Sequence, residues 1–344
     1  MLKNLLRKLR RSPFEFPLRG GGTIGDVVCA PLDQKGIELA VIDLGARNGI
    51  YHVPSSYSRR ARLIGFEPNP KEFKKLTAES TDMHVAGVLP PPFRHTEYHP
   101  YAVWRASERR QFYLTAIAGA CTLMGDSVQA VTGKMYLDWA GKRKLSFADI
   151  TKVVGVEQID CVMLDDVLAD DLVVDFLKID VEGAEVACLE GARRLLESHR
   201  ILFIYSEFVA LPYYPAHDVL GSQHVFLNER GYRLIDLEMR HPTYRRGDHA
   251  IPETADRRLL HAGDAIYVLD PDRVEMDAMT RQRLAAILFV FGFSSLALSL
   301  LDEAGLTSKA EIARIEASVC RTMTTRRLLQ TWNGLPARIM GALA

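Results

Sequence analysis

Apolar runs alternate with helical patterns along the chain, and this alternation predicts an α/β fold. Strands are predicted at residues 39–44, 62–67, 173–180 and 201–205, and the first of them is an apolar run typical of a strand buried on both faces of a parallel sheet. Further strands are predicted at 98–104, 232–237 and 265–269, with an added strand at 110–115. Helices are predicted at 70–76, 184–197 and 222–229. The order favours a doubly wound, mostly parallel sheet of seven strands.

Three segments follow from the same pattern. Residues 1–36 carry Gly20–Gly22 and three prolines, so we predict a tail with little regular structure. Residues 37–273 contain the sheet, and residues 274–344 form a helical appendage. Within the appendage, residues 284–301 carry no charge, which is the length of a marginal membrane span. Gly292 and the lack of anchoring residues favour instead a soluble helical hairpin, or a homo-oligomer contact through residues 281–330.

A second helix of the appendage supports the hairpin. Ser308 and Glu311 have the spacing of a capping box, and apolar residues follow at helical intervals, namely Ile312, Ile315, Val319 and Met323. An amphipathic helix of this kind can cover an apolar one, so both are expected to pack in a soluble protein.

Charge and cysteine usage narrow the environment. Lys plus Arg equals Asp plus Glu at 43 each, so no overall field attracts nucleic acid. The basic amphipathic residues 1–11 fit either a peripheral membrane helix or a solvated tail, and we favour the tail. The five cysteines are scattered without a CxxC motif, which indicates neither a zinc site nor a disulfide framework. A reducing, cytoplasmic location is therefore expected.

Candidate chemistry lies where the predicted strands end, because ligands of open parallel sheets bind outside the carboxyl ends of the strands. Asp43 ends the first strand, and Gly45 and Gly49 then allow the backbone to approach a ligand closely. Glu67 ends the second strand, where a carboxylate can accept both hydroxyls of a ribose. An ordinary tight turn and a helix-capping carboxylate are the alternatives. The absence of G-x-G-x-x-G argues against a dinucleotide site.

The strand at 173–180 carries a charged group inside an apolar run. Lys178 and Asp180 are two residues apart and are expected to share a face, with Glu182 just beyond the strand end. A purely structural Lys–Asp pair would explain the lysine. Alternatively, these carboxylates orient or deprotonate a hydroxyl of a substrate.

Four segments of the sequence resemble the FkbM family of methyltransferases. They read V-I-D-L-G-A-R-N-G from Val41, G-F-E-P-N-P-K-E-F-K-K-L from Gly65, L-D-D-V-L from Leu164, and F-L-K-I-D-V-E-G-A-E-x-x-x-L-E-G-A from Phe176. The resemblance implies a class I fold that uses S-adenosylmethionine, and O-methylation of sugars and polyketide natural products. The helices after residue 273 lie outside the shared pattern.

The resemblance also implies roles for individual residues. It implies that the methionine part of the cofactor is surrounded by the turn after the first strand, namely Asp43, Gly45, Ala46 and Gly49, with Asn48 beside them. Glu67 would bind the ribose, and Pro68 would shape the adjoining turn. Lys178, Asp180, Glu182 and Gly183 would face the transfer site. Arg47 departs from the family, which usually has asparagine there; it is expected to point outward or to contact the cofactor carboxylate.

The expected reaction is methyl transfer to a hydroxyl of a sugar, glycan or other small molecule. Asp180 or Glu182 would accept the proton, and Lys178 would set the local charge. A metal ion is not part of this mechanism, although Asp180 and Glu182, joined by Glu207, offer the oxygen ligands of a divalent cation such as magnesium or calcium. The alternatives are a binding or scaffold protein that has lost the chemistry, and transfer to a nitrogen or a carboxylate.

Overall fold

The computed structural model describes residues 12–125, 135–139, 143–215, 217–239, 244–246 and 260–333. The described residues belong to two compact units. The first comprises Leu39–His52 and Ser58–Glu275, and the second comprises the described parts of Leu2–Glu38 and Met276–Ala344 together with Val53–Tyr57.

Thirteen strands are present in the described residues. They are β1 (Leu39–Leu44), β2 (Ala61–Phe66), β3 (His95–His99), β4 (Ala102–Val103), β5 (Glu108–Thr115), β6 (Met135–Trp139), β7 (Arg143–Ser146), β8 (Val153–Val162), β9 (Phe176–Ile179), β10 (Phe203–Val209), β11 (Tyr232–Met239), β12 (Tyr244–Arg246) and β13 (Ala262–Leu269). The helices are α1 (Ile24–Gln34), α2 (Ser55–Ser58), α3 (Pro70–Thr77), α4 (Asp82–Val85), α5 (Phe147–Ile150), α6 (Leu164–Val167), α7 (Glu185–Glu190), α8 (Arg193–Glu197), α9 (Leu220–Asn228), α10 (Ala278–Phe291), α11 (Ser294–Ala304) and α12 (Lys309–Asn333). Short 3-10 turns occur at Pro13–Glu15 and Ala118–Ala120.

The first unit is built on a seven-stranded sheet with the order β11-β13-β10-β9-β1-β2-β3. Strands β3, β2, β1, β9 and β10 are parallel to one another, and β13 runs antiparallel to both of its neighbours. This confirms the predicted α/β fold with a mostly parallel sheet. The strand order reverses at β1, which lies between β2 and β9, so the carboxyl ends of β1 and β9 flank the position where such sheets bind ligands.

The first unit also contains two three-stranded sheets, with the orders β12-β6-β7 and β4-β8-β5. The strand predicted at 98–104 is wrong in its extent: β3 ends at His99, and β4 belongs to a separate sheet with the order β4-β8-β5. Pro100 explains the break, because proline cannot donate a ladder hydrogen bond. Strand β8 was not predicted, although it alternates between the two faces of an antiparallel pair with β5.

The helix predicted at 184–197 is divided into α7 and α8. A Cβ atom at Gly191 would lie 2.1 Å from the backbone oxygen of Trp104, the residue after β4, so the chain approaches this backbone too closely for any side chain. The break therefore depends on a contact with a distant residue and not on local helix propensity.

The second unit corrects the prediction that residues 1–36 have little regular structure. Helix α1 begins after Thr23, whose hydroxyl accepts from the Asp26 amide while the Asp26 carboxylate accepts from the Thr23 amide. This capping box satisfies amides that the helix itself leaves without partners. Ile24, Val28, Cys29 and Leu32 are buried, so apolar packing stabilises the helix despite Pro31 within it.

The uncharged residues 284–301 form two helices, because Gly292 ends α10 with a left-handed φ of 90° and α11 follows. Ser308 and Glu311 form the predicted capping box at the start of α12. Among the helices that the structure describes, none is long and apolar enough to cross a membrane. The oligomer contact through residues 281–330 stays a prediction.

Candidate active site

A buried ion pair lies at the carboxyl ends of β1 and β9. Asp43 and Lys178 are directly paired in the register of these strands, so their side chains lie on the same face. Lys178 Nζ donates to Asp43 Oδ1 at 3.0 Å, and Asp180 Oδ2 lies 3.8 Å from the same nitrogen. Lys178 and Asp180 are thus together, as their spacing predicted, and Asp43 is the closer partner.

Both side chains of this pair are buried, and burial affects both pKa values. Burial raises the pKa of Asp43, and the charge of Lys178 acts against that rise. For Lys178, burial alone would lower the pKa, but the charges of Asp43 and Asp180 outweigh it and raise the pKa above its ordinary value. The lysine is therefore a cation at neutral pH. Asp43 Oδ2 is buried and has no hydrogen-bond partner among the described residues.

The turn after β1 is held by the backbone of β2. The amides of Gly45 and Ala46 both donate to the Phe66 oxygen, at 3.1 and 2.9 Å. These two amides therefore shape the turn and are not available to a ligand. Asn48 has a left-handed φ of 71°, and its Oδ1 is buried without a partner in the described part of the chain. Asp43 Oδ2 and Asn48 Oδ1 are therefore the buried acceptors of this turn that have no donor in the described residues.

Gly45 is required by a close approach of the two strand ends. Its φ is 79°, and a Cβ atom there would lie 2.0 Å from the Asp180 oxygen. The glycine thus allows the loops after β1 and β9 to meet, where Asp43 and Asp180 both lie within 4 Å of Lys178 Nζ.

Gly45→Ala is expected to destabilise the protein by more than the roughly 1–3 kcal/mol that left-handed strain costs, because the backbone clash is added to it. Gly87→Ala is the matched control, since Gly87 has a similar φ of 74° and no atom within 4 Å of the added Cβ. Urea unfolding should show a clearly larger loss in the free energy of unfolding for Gly45→Ala than for Gly87→Ala. Equal losses for the two variants would contradict the importance of the close approach.

Arg47 points away from the ligand side of the turn. Its Nε donates to Glu72 at 2.9 Å and its Nη2 donates to Asp82 at 2.6 Å. Lys75 bridges the same two carboxylates. The guanidinium charge is therefore neutralised by α3 and by Asp82, which begins α4. Of the two expectations for Arg47, the structure fits the outward one.

Glu67 lies just beyond β2 and is almost completely buried. Its Oε1 accepts from the Asn69 amide at 2.8 Å, and its own amide donates to the His99 oxygen. Burial raises the pKa of Glu67 to about 7; the Asn69 hydrogen bond opposes this rise. Pro68 stands between Glu67 and Asn69, and Asn69 caps α3. The carboxylate therefore titrates close to neutral pH.

Sequence reasoning missed Tyr98 and Gly65. The register pairs Tyr98 with Gly65 and Gly65 with Asp43, and a Cβ at Gly65 would lie 2.6 Å from the Tyr98 ring. Tyr98 therefore lies across β2 towards Asp43. Burial raises its pKa, and the Asp43 charge adds to that rise. The glycine inside an apolar strand was the available signal, since glycine there often marks a close approach.

Sequence reasoning also missed Glu185, which organises the turn after β9. Its Oε1 accepts from the amides of Val181 and Gly183, at 3.3 and 3.1 Å. Burial raises the pKa of this carboxyl. Glu182 adopts a left-handed φ of 55°, and its backbone oxygen accepts from Thr122 Oγ1 at 2.8 Å. Glu185 and Thr122 thus fix the turn that carries Glu182.

Three carboxylates meet beyond β9 and β10. Asp180, Glu182 and Glu207 each offer an oxygen within 4.8 Å of the others. This arrangement can withdraw a proton from a hydroxyl, and its composition also suits a divalent cation. The cation stays an alternative to the mechanism without metal.

The chain was compared with known proteins. Residues 43–234, more than half of the chain, match the family model described as the Methyltransferase FkbM domain. No curated protein sequence matches significantly. Similar solved structures include a magnesium protoporphyrin IX methyltransferase from Synechocystis PCC 6803 with bound SAM, at 11% identity, 71% of this chain, 77% of that chain and a TM-score of 0.30.

Two further solved structures have a comparable likeness. A TehB-like SAM-dependent methyltransferase from Corynebacterium glutamicum is 9% identical over 71% of this chain and 87% of that chain, with a TM-score of 0.29. An rRNA methylase from Streptococcus thermophilus is 9% identical over 68% of this chain and 88% of that chain, with a TM-score of 0.30.

Proposed function

Because the chain belongs to the methyltransferase FkbM domain family, we propose that it transfers a methyl group from S-adenosylmethionine to a hydroxyl of a sugar, glycan or other small molecule. The observation that carries the proposal is the buried carboxylate oxygen of Asp43 that is unpaired among the described residues. Its carboxylate is completely buried at the end of β1, with one oxygen on Lys178 and the other without a donor in the described residues. A buried acceptor of this kind fits a ligand that brings donor groups.

The residues around Asp43 suit the donor groups of S-adenosylmethionine. The cofactor has an ammonium group and two ribose hydroxyls, and the site offers oxygen acceptors on Asp43, Asn48 and Glu67. Asp43 is the penultimate residue of β1, and Glu67 comes directly after the neighbouring strand β2, so the methionine part and the ribose can lie side by side. The residues present therefore fit the cofactor.

When bound, S-adenosylmethionine supplies an electrophilic methyl group on a sulfonium. The chain has to hold the acceptor hydroxyl in line with the methyl carbon and the sulfur. As the oxygen–carbon bond forms and the carbon–sulfur bond breaks, the hydroxyl proton passes to Asp180 or Glu182. Lys178 places a positive charge 3.8 Å from Asp180.

Two measurements test the proposal. Isothermal titration with S-adenosylmethionine should give saturable binding. If the protein does not bind the cofactor, it cannot be the enzyme. That outcome would favour a binding or scaffold protein. Labelled cofactor should then be incubated with methyl glycosides of common hexoses, and with amines and carboxylates for comparison. Label in a glycoside supports O-methylation, whereas label only in an amine or a carboxylate would contradict the proposed acceptor class.

The affinity for S-adenosylmethionine is expected to depend on pH through Glu67. The ionised carboxylate accepts both ribose hydroxyls, and its pKa is about 7 before the cofactor binds. The dissociation constant should therefore rise about tenfold for each pH unit below pH 7 and level off above it. In Glu67→Gln this pH dependence should disappear and binding should be weaker throughout. The exposed Glu229→Gln is the control; an unchanged pH profile in Glu67→Gln would contradict the role of Glu67.

A further inference from the structure

A buried histidine lies beside the turn that carries Glu182. His217 Nε2 would be 3.1 Å from a Cβ atom placed on Gly183, so the imidazole edge lies against this turn. The ring packs on Tyr213 and Tyr214, with centroids 5.1 and 5.7 Å away, and is 8% exposed. His217 is therefore packed next to the turn that carries Glu182.

The hydrogen bonds of His217 fix where its proton lies. Burial lowers its pKa to about 4, although the nearby Asp218 charge acts in the opposite direction, so the ring is neutral at physiological pH. Nδ1 accepts a hydrogen bond from the Tyr213 amide at 3.1 Å. Since a neutral imidazole has one donor and one acceptor nitrogen, the proton must be on Nε2.

The Nε2–H group is a donor that the described residues leave without an acceptor. Proteins rarely leave a buried donor unpaired, because its lost hydration is not compensated. Where such a group borders an active site, a ligand oxygen is the natural partner. Because protonated Nε2 has no lone pair in the plane of the ring, this nitrogen cannot ligate a metal ion in this form.

The position of His217 in the fold indicates which ligand this is. Of the cofactor residues, Asp43 lies near the end of β1 and Glu67 comes directly after β2, whereas Glu182 follows β9 and His217 follows β10. These strands lie in the order β2-β1-β9-β10. His217 is therefore on the far side of the carboxylates from the ribose position, which is the acceptor side.

We propose that His217 binds the methyl acceptor through Nε2–H, which donates to an acceptor oxygen that is not methylated and so orients the reactive hydroxyl towards Asp180 and Glu182. This inference rests on the proposed O-methyl transfer. The oxygen that attacks must keep its lone pair, so a donor there would slow the reaction, whereas a neighbouring oxygen can accept without loss. The acceptor class is therefore a neutral molecule with at least two closely spaced oxygens, such as the vicinal diol of a sugar.

The tautomer is tested first and without any acceptor. In protein with 15N-labelled histidine and bound S-adenosylhomocysteine, the ring shifts of His217 should show a neutral, Nε2-protonated imidazole from pH 5.5 to pH 8. A proton on Nδ1, or a charged ring in this range, would overturn the proposal whatever the protein methylates.

The role is tested with the methyl glycoside of highest turnover in the acceptor screen and with its monodeoxy derivatives. His217→Phe should lower kcat/KM for the glycoside by about 3- to 10-fold, as expected for one lost neutral hydrogen bond. His217→Gln keeps an N–H donor on a side chain of similar reach and should recover most of this loss. For one monodeoxy derivative, the wild type and His217→Phe should have the same kcat/KM, because this derivative lacks the oxygen that His217 binds.

His224→Phe is the matched control. This histidine stacks on Tyr267, with ring centroids 6.1 Å apart. Tyr267 pairs with Ile204, whose neighbour Tyr205 pairs with Lys178, so Tyr267 lies on the opposite face of the sheet from the site. The control should leave kcat/KM unchanged.

The outcomes separate this inference from the proposed function. If His217→Phe has the wild-type kcat/KM, or loses equally with every deoxy derivative, the inference is overturned while the methyltransferase remains. If the wild type binds no S-adenosylmethionine or methylates no glycoside, the proposed function fails, and the acceptor role of His217 fails with it. Unchanged cofactor affinity in His217→Phe excludes a folding defect as the cause of a loss.

Discussion

Replacing Lys178 with methionine is expected to lower the free energy of unfolding by about 3–5 kcal/mol, because breaking a buried ion pair leaves one charge uncompensated. Asp43 is completely buried, Lys178 Nζ is its hydrogen-bond partner among the described residues, and methionine fills a similar volume without a charge. Urea unfolding at pH 7.5 measures the loss. Lys75→Met is the control, since Lys75 is 41% exposed and both of its partners, Glu72 and Asp82, keep an ion pair with Arg47, so its loss should be clearly smaller.

The loss in Lys178→Met should also depend on pH in a defined direction. Burial raises the pKa of Asp43 in the folded protein above its unfolded value, and the charge of Lys178 makes this rise smaller. Without the lysine the folded pKa rises further, so Asp43 folds at low cost when it is protonated and at high cost when it is charged. The deficit relative to the wild type should therefore grow as the pH rises from the folded pKa of Asp43 in the wild type to the higher one in the variant, and level off above it. A deficit that is constant from pH 5 to pH 8 would contradict the buried-charge explanation.

A double variant separates charge from packing. Asp43→Asn combined with Lys178→Met removes both charges, so it should be more stable than Lys178→Met alone. It should nevertheless fail to bind S-adenosylmethionine, because the Asp43 carboxylate is then missing. If the double variant is as unstable as the single one, lost packing of the lysine stem and not the unpaired charge is responsible.

The sequence indicated the strand ends more reliably than the partners of the residues on them. Asp43, Lys178 and Asp180 were recognisable because each is a charged residue at or near the end of an apolar run. The spacing predicted that Lys178 and Asp180 would share a face. The stronger pair with Asp43 depends on the register between β1 and β9, which are 135 residues apart at this contact. Register between distant strands is a tertiary property, so local pattern could not supply it.

Contacts between residues that are distant in the sequence also explain most of the other differences between the predicted and the observed structure. Arg47 is bound by Glu72 and Asp82, and both carboxylates come from a later part of the chain. The helix break at Gly191 requires the backbone of Trp104. Helix α1 is different, because the Thr23–Asp26 capping box is a local signal that outweighs the glycines before the helix and Pro31 within it.

The double variant Asp180→Asn and Glu182→Gln is expected to slow methyl transfer by about 100- to 10,000-fold, the range that general base catalysis contributes. Both substitutions keep shape and remove the carboxylate that takes the proton. S-adenosylmethionine affinity should be little changed, because Asp43 and Glu67 are intact. The matched control is Asp171→Asn with Glu275→Gln, which removes the same charge from two exposed positions in the same unit. Full transfer rates in the Asp180 and Glu182 variant would show that neither carboxylate is the base.

Chelation distinguishes a base from a metal ligand in the same residues. Asp180, Glu182 and Glu207 lie close enough to share a divalent cation, and substitution of Asp180 and Glu182 would stop the reaction under either mechanism. With a carboxylate base, EDTA should leave the wild-type rate unchanged, and the rate should fall at low pH as the base becomes protonated. A rate that EDTA abolishes and magnesium restores would assign these carboxylates to a cation that acidifies the hydroxyl. The proton would then leave to solvent or to a neighbouring group, and Lys178 would act only as the partner of Asp43.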